Sequence, residues 1–455
     1  MNFEQDHQLC LDKLLWATRQ LDVNVSDQDI AKIAEIIVQT MTGPWRYFHT
    51  PDHIFEVGGS ANAIEVLAAL FHDLVYVQVD QTVNFNLTFY IVPFIREVKE
   101  HLYIRAADDL PQDPLFTMVL QVFGFSPGQQ LSPFSGQNEF LSALVCAKVL
   151  EPFFSQALIL KIIACIETTI PFRPNRDGLT PAEHLYERLK AANAEYNLEI
   201  PDAELIQAVQ QAVRMANRDV GSFANPSSAR FLDNTWSLLP ETNHNLKNPS
   251  SYTVNEYRVA LQKMEGFMNF LKPDLVFQQF ANEPPDAAYQ NLLERAERNI
   301  EIARLYIGSK LFTMAVLEAL SRRFGRNIPL STIMGELNPL GLQIEKLEDF
   351  LPDVPNHHPA RNNLEREVLD LLEKGRYSSS SYDIKNSPLT TLMVKVMGFD
   401  RIRELLGQAK DFFKDELSGE TFLAACDQTI VEIITTSMSK LFDSRKTALM
   451  QATAS

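Results

Sequence analysis

The sequence contains no apolar run long enough to span a bilayer, which excludes a membrane-spanning helix and leaves the membrane out as an expected partner. It also lacks a Gly-rich phosphate loop, a G-x-S-x-G elbow and any recognisable Cys-His arrangement, so the common nucleotide-cradle and acyl-transfer chemistries have no carrier. Cysteine is sparse: Cys10, Cys146, Cys165 and Cys426 lie far apart with no CxxC spacing, as expected of reduced core thiols rather than a disulfide framework or a thiolate zinc site. Positive charge is in deficit, 41 Lys and Arg against 58 Asp and Glu, giving a net charge of −17. That balance repels phosphate backbones at long range and opposes counterion-release binding. Nucleic acid is therefore not an expected partner, and a titration with duplex DNA at physiological salt should give binding weaker than about micromolar. A small anion neutralised by a metal in a local pocket is still compatible with this charge. The opening segment MNFEQDHQLC has no cationic stretch followed by an apolar one, and a cytoplasmic location is expected.

What is present is helical periodicity. The apolar fraction of 45% is ordinary for a globular chain, and apolar residues recur at helical spacing nearly throughout, so the expected class is all-α. Residues 26–41 begin with Ser26 as an N-cap, with Asp29 three residues on, followed by the stripe Ile30, Ile33, Ile37. Further helices are expected near 52–75, 85–104, 137–152, 155–169, 180–195, 202–218, 254–271, 286–307, 309–324, 361–374, 387–396, 398–414 and 419–442. Turn formers cluster at 126–137, 243–253 and 374–388. At 455 residues the chain exceeds most single cores. The expected division is an N-terminal domain, 1–245, with an insertion at about 77–136, and a helical C-terminal region, 246–455, of one or two subdomains.

Three of the nine histidines fall close together: His49, His53 and His72. In PWRYFHTPDHIFEVGG, His49 sits in a Pro-bounded turn, and His53 in the first turn of a helix that Pro51 and Asp52 suit as a start. His72 and Asp73 follow inside the apolar run LFHDLVY, where burying an imidazole and a carboxylate is costly unless both are bound. A helical hairpin or a broken helix would fold them back on His53. Two imidazoles and a carboxylate suit Zn, Mn, Fe, Co, Ni or Mg; a buried His hydrogen-bonded to a neighbour is the alternative.

WRYFHTPDHIFEV, then ALFHDLVY, then NEFLSA at 138–143 resembles, in that order, the pattern R-x-Y-H, H, F-H-D-x-V-Y and N-E-x-x-S-A of a branch of the HD-domain metal-dependent phosphohydrolase superfamily. The likeness covers about residues 26–225. It implies a helical bundle and a ligand set in which His53 is the first ligand, His72 and Asp73 the central pair, and a later Asp the last. The best match for the last is Asp219, at the end of an amphipathic helix carrying Val209, Val213 and Ala216. The resemblance also places Arg46 and His49 against a substrate phosphate, which a planar guanidinium suits. Glu139 would be a base or a partner of the reacting water. Phe48 stands where the branch has tyrosine. The chain also reads IETTIPFRP at 166–174 where many relatives have another metal-supporting His, so Glu167 or Thr169 would have to replace it and a single divalent ion is expected.

The reading that follows is a metal-dependent phosphohydrolase acting on a phosphomonoester or phosphodiester of nucleotide type. Its rival is a catalytically weak sensor that binds metal or nucleotide and acts on a partner through the C-terminal helices. Of the remaining histidines, His101, His184, His244, His357 and His358 lack partners at ligand spacing and are expected on the surface. The stripe Leu292, Ala296, Ile300, Ala303, Ile307 packs most simply on neighbouring helices, and a homodimer surface is its alternative use.

Overall fold

Ser26 accepts from the Asp29 backbone N–H at 3.2 Å and starts the helix Asp27–Met41 with Ile30, Ile33 and Ile37 on its buried face. The same logic runs along the chain, and the computed structural model, which describes residues 2–248, 250–335 and 345–452, is all-α apart from one two-stranded hairpin. In chain order the first part contains α1 (Phe3–Gln20), α2 (Asp27–Met41), α3 (Pro51–Gly58), α4 (Ala63–His72), α5 (Val77–Asp80), α6 (Thr88–Ile91), β1 (Ile95–Val98), β2 (His101–Ile104), α7 (Pro114–Phe123), α8 (Gln137–Leu150), α9 (Gln156–Thr168), α10 (Pro181–Glu195) and α11 (Asp202–Asp219). No described helix is long and apolar enough to cross a membrane. All four cysteines are free and buried.

The stretch expected as one helix over 52–75 is two, and the break is what makes the site. Gly59 adopts a positive φ of 62°, which favours glycine, and a Cβ on Gly58 would lie 3.3 Å from the Ala69 Cβ. The chain therefore turns at this pair, Asn62 caps α4 through the Glu65 N–H, and α3 folds back along α4.

The helix expected over 85–104 is a correction: only α6 and a 3-10 turn at Phe85–Leu87 are helical there, and β1 and β2 pair antiparallel with Val98 opposite His101. Lys99 and Glu100 both take positive φ, 50° and 66°, the conformation of a two-residue hairpin turn. Neither is a residue type that advertises such a turn, so the apolar positions read as helical. Helices 286–307 and 309–324 are continuous as one, while the break expected near 397 is a non-helical Gly398 inside a single element.

The described chain forms two compact units, Met1–Ala224 with Lys272–Ala296, and Asn225–Leu271 with Glu297–Ser455. The division expected at 245 thus falls at 225, and a later segment returns to the first unit. That segment includes α14 (Pro273–Val276), after α12 (Ser228–Thr242) and α13 (Val254–Phe270) of the second unit. It is held in the first unit by Asn217, which both donates to Gln278 O at 2.8 Å and accepts from Gln278 N at 2.9 Å. The second unit continues with the later part of α15 (Asp286–Ser321), then α16 (Leu330–Met334), α17 (Asn363–Lys374), α18 (Pro388–Phe413), α19 (Gly419–Ala425) and α20 (Gln428–Ala452). At its core a half-buried Asp383 accepts from Trp236, Tyr257 and Lys310 at 2.7–2.8 Å, so the serine-rich turn at 374–388 is anchored there. Of the turn-forming stretch 243–253, Pro249 lies outside the described residues.

Candidate metal centre

The α3–α4 hairpin sets the His53 and His72 rings 5.6 Å apart, centroid to centroid. Asp73, the residue that ends α4, and Asp219, the last residue of α11, complete a cluster whose candidate ligand atoms all lie within 4.8 Å of one another. His53 Nε2 is 3.0 Å from Asp219 Oδ1 and 3.4 Å from Asp73 Oδ2; His72 Nε2 is 3.0 Å from Asp73 Oδ2 and 3.5 Å from Asp219 Oδ1. Metal–ligand bonds of about 2.1 Å place neighbouring ligand atoms about 3.0–3.4 Å apart, so these four edges match a coordination polyhedron.

The hydrogen bonding of the cluster fits an ion better than it fits the protein alone. His72 Nδ1 is 2.8 Å from the Ala69 carbonyl, which requires the proton on Nδ1 and leaves the Nε2 lone pair available for a ligand. That Nε2 atom and Asp73 Oδ2 are both buried without a hydrogen-bond partner despite their proximity. A buried polar pair left in this state is costly unless something else satisfies it. Electrostatics point the same way. Burial alone pushes the His53 imidazole down in pKa, yet the hydrogen bond to Asp219 and the nearby Asp73 carboxylate carry it up to about 9. Burial pushes the Asp219 carboxyl up, and the hydrogen bond from His53 and the nearby His72 imidazole draw it down to about 2. The two carboxylates hold cationic partners strongly, protons in the absence of a metal.

Residues beyond the four candidate ligands aim them. Glu65, 2% exposed, accepts from Arg214 at 2.8 Å and from Arg218 at 2.6 Å, and Arg218 also donates to the Val57 carbonyl at 2.7 Å. This fork ties the end of α11 to both arms of the hairpin and so places Asp219 opposite the two histidines. Asn138 and Ser142, both within NEFLSA, hold the segment after Asp73: Ser142 Oγ accepts from Val75 N at 3.0 Å and Asn138 Oδ1 from Val77 N at 3.2 Å. Sequence reasoning assigned no role to Glu65, Arg218, Asn138 or Ser142. The signal available for the last two was their place in the motif.

Arg46 departs from the phosphate contact that the resemblance implies. Its side chain is fully buried, and all five N–H groups have protein acceptors: Asp80 at 3.1 and 2.7 Å, the Asp73 carbonyl at 2.7 Å, the Leu74 carbonyl at 3.2 Å and Met41 Sδ at 2.9 Å. No donor remains for a substrate, and Arg46 acts as a buttress beneath the His-Asp corner. His49 does lie at the site, half-buried, its ring 5.6 Å from His53 and 4.5 Å from Tyr76. Glu139, in the first turn of α8, is within electrostatic reach of Asp73 and Asp219, and its Oε2 is buried without a partner. Burial, then the two aspartates, push its carboxyl up to about 7.

Glu167 and Thr169 do not take the place of the missing histidine. Thr169 Oγ1 donates to the Ile166 carbonyl, and Glu167, 1% exposed, is held by Arg173 at 2.6 Å and Arg188 at 2.5 Å. Glu167→Gln is accordingly expected to lower stability by about 3–5 kcal/mol, since it strips two partly buried guanidiniums of their shared anion, while leaving metal content unchanged. Thermal unfolding and elemental analysis of the same preparation check this. Of the other histidines, His101, His357 and His358 are exposed, whereas His184 and His244 are half-buried.

Comparison of the chain with protein-family models, with curated proteins and with solved structures gave no significant match.

Proposed function

We propose that the protein is a metal-dependent phosphohydrolase acting on a small phosphate ester of nucleotide type, with His53, His72, Asp73 and Asp219 holding one divalent ion. The observation that carries this reading is the convergence of two imidazoles and two carboxylates from three separate helices on one point, with His72 Nε2 and Asp73 Oδ2 buried and unpartnered. When bound, a divalent ion supplies Lewis acidity toward a phosphoryl oxygen and lowers the pKa of a water. The chain's own residues supply the rest. Glu139, at the edge of the cluster, holds or accepts a proton at its open Oε2. His49, beside His53 and Tyr76, is the group placed to donate to the ester's phosphate, a role the engaged Arg46 cannot share.

A sensor that binds metal or nucleotide without turnover is the second reading, and the sealing of Arg46 inside the protein favours it, because the site then offers no guanidinium of its own from that motif. Metal content and hydrolysis measured together on a panel of nucleotide mono- and diesters decide between the two. We expect about one divalent ion per chain and turnover of at least one ester. Two ions at full occupancy contradict the single-ion assignment, and tight metal with no hydrolysis across the panel replaces the enzyme with the sensor.

A further inference from the structure

The loop between α9 and α10, with the start of α10 itself, builds a basic cleft whose lining includes none of the four candidate metal ligands. A cavity of about 420 Å³ is lined by Arg173, Arg176, Arg188 and His184 on one side and by Phe125 and Phe134 on another. That volume lies within the range of small-molecule sites. In a chain of net charge −17, three guanidiniums and an imidazole in one cleft are a local reversal of sign. Their internal neutralisation is incomplete. Arg173 and Arg188 share a single carboxylate, Glu167, and the Nε of each is buried without an acceptor. Burial, and also the neighbouring Arg173, hold the Arg188 guanidinium below its usual pKa, against the pull of Glu167. Arg176 is exposed, and its side chain makes no hydrogen bond or ion pair among the described residues. Asp177 is the one carboxylate on the lining.

The cleft is built rather than incidental. Arg176 and Leu179 exchange backbone hydrogen bonds of 3.0 and 2.8 Å across Asp177 and Gly178, both at positive φ, so the turn that carries Arg176 is closed on itself. His184 Nε2 bonds the Arg176 carbonyl at 3.0 Å, and Thr180 and Glu183 form a capping box where α10 begins. Across the cleft Gly136, at φ 87°, lets Ile170 approach so closely that a Cβ there would lie 2.3 Å from it. Phe134 is 95% exposed at the mouth, so its ring is open to a ligand in the cleft.

We propose that this cleft binds the phosphate group of a small phosphate ester through Arg173, Arg176, Arg188 and His184, with the aromatic part of the ester lying against Phe134. Guanidinium forks match phosphate oxygens in geometry and charge. An aromatic ring on the ester gains area against Phe134 that free phosphate cannot. The inference stands on residues other than the metal cluster and holds whether or not the chain is a hydrolase.

The test is calorimetric titration of the full chain, kept metal-free with chelator, against adenosine monophosphate and separately against inorganic phosphate. Saturable binding of one molecule per chain is expected, tighter for the nucleotide. Arg176→Glu should weaken both by about tenfold or more, by removing a charge-assisted donor and adding a like charge. Phe134→Ala should weaken the nucleotide alone. Both side chains are exposed, so the unfolding midpoint of each variant should match wild type. No saturable binding, or Arg176→Glu binding as wild type does, overturns the site. Equal affinity for phosphate and nucleotide, unaffected by Phe134→Ala, overturns the assignment of an aromatic ester. Loss of binding in Asp73→Asn together with retention in Arg176→Glu places the ligand at the metal cluster and sinks the inference while leaving the metal centre intact.

Discussion

Asp73→Asn is expected to abolish the proposed metal binding and turnover while the helices around it stay folded. The carboxylate contributes one of two negative charges facing two imidazoles, with Oδ2 3.0 Å from His72 and 3.4 Å from His53. An amide fills the same volume but gives the ion a neutral and much weaker ligand. Replacing even a hydrogen-bond partner of a metal ligand costs about 10–100-fold in affinity or activity, so loss of a charged ligand should cost more than about a hundredfold. The effect on folding is small by comparison. The amide oxygen can still accept from the imidazole of His72 3.0 Å away, and the backbone at Asp73 stays pinned by Arg46. The metal-free mutant should unfold within about 1–2 kcal/mol of metal-free wild type. Elemental analysis, thermal unfolding and hydrolysis on one preparation provide the readout. A mutant that keeps metal and activity removes the metal centre as an explanation of the cluster.

The parts of this site that were legible in the sequence are those carried by local pattern. His53 followed a Pro51-Asp52 helix start, and α3 indeed begins at Pro51. His72 and Asp73 stood out as polar residues in an apolar run, and Asp219 as the acid at the end of an amphipathic helix; all three join His53 in one cluster. What was not legible depends on partners distant in the chain. Glu65 reads as an ordinary residue of an apolar helix, and only the fold puts Arg214 and Arg218 against it, about 150 positions later. The hairpin at 95–104 was hidden because Lys99 and Glu100 adopt turn geometry that their identities do not favour. The all-α class was legible because helical spacing is a short-range signal repeated many times, whereas the return of 272–296 to the first unit rests on contacts such as Gln278 with Asn217.

Arg46 separates a motif residue's expected role from the one its surroundings allow. If it contacted substrate, removing it would raise KM and leave stability nearly unchanged. The geometry leads to the opposite expectation. Its guanidinium neutralises Asp80, which is only 15% exposed, and satisfies the carbonyls of Asp73 and Leu74 at the corner where α4 ends. Arg46→Met keeps much of the side-chain volume but leaves Asp80 without its cation and those carbonyls without their donor. Breaking a buried pair from one side costs about 3–5 kcal/mol, a large share of a typical domain's total stability. Arg46→Lys should recover only part of this, because an ammonium is a point charge and cannot span five acceptors in a plane. The corner also carries Asp73, so metal affinity should fall together with stability in both variants, more in the Met than in the Lys. Denaturant unfolding of the metal-free proteins, followed by metal titration, measures the two effects separately. Unchanged stability with a raised KM would return Arg46 to the substrate and require the Asp80 pair to open when substrate binds.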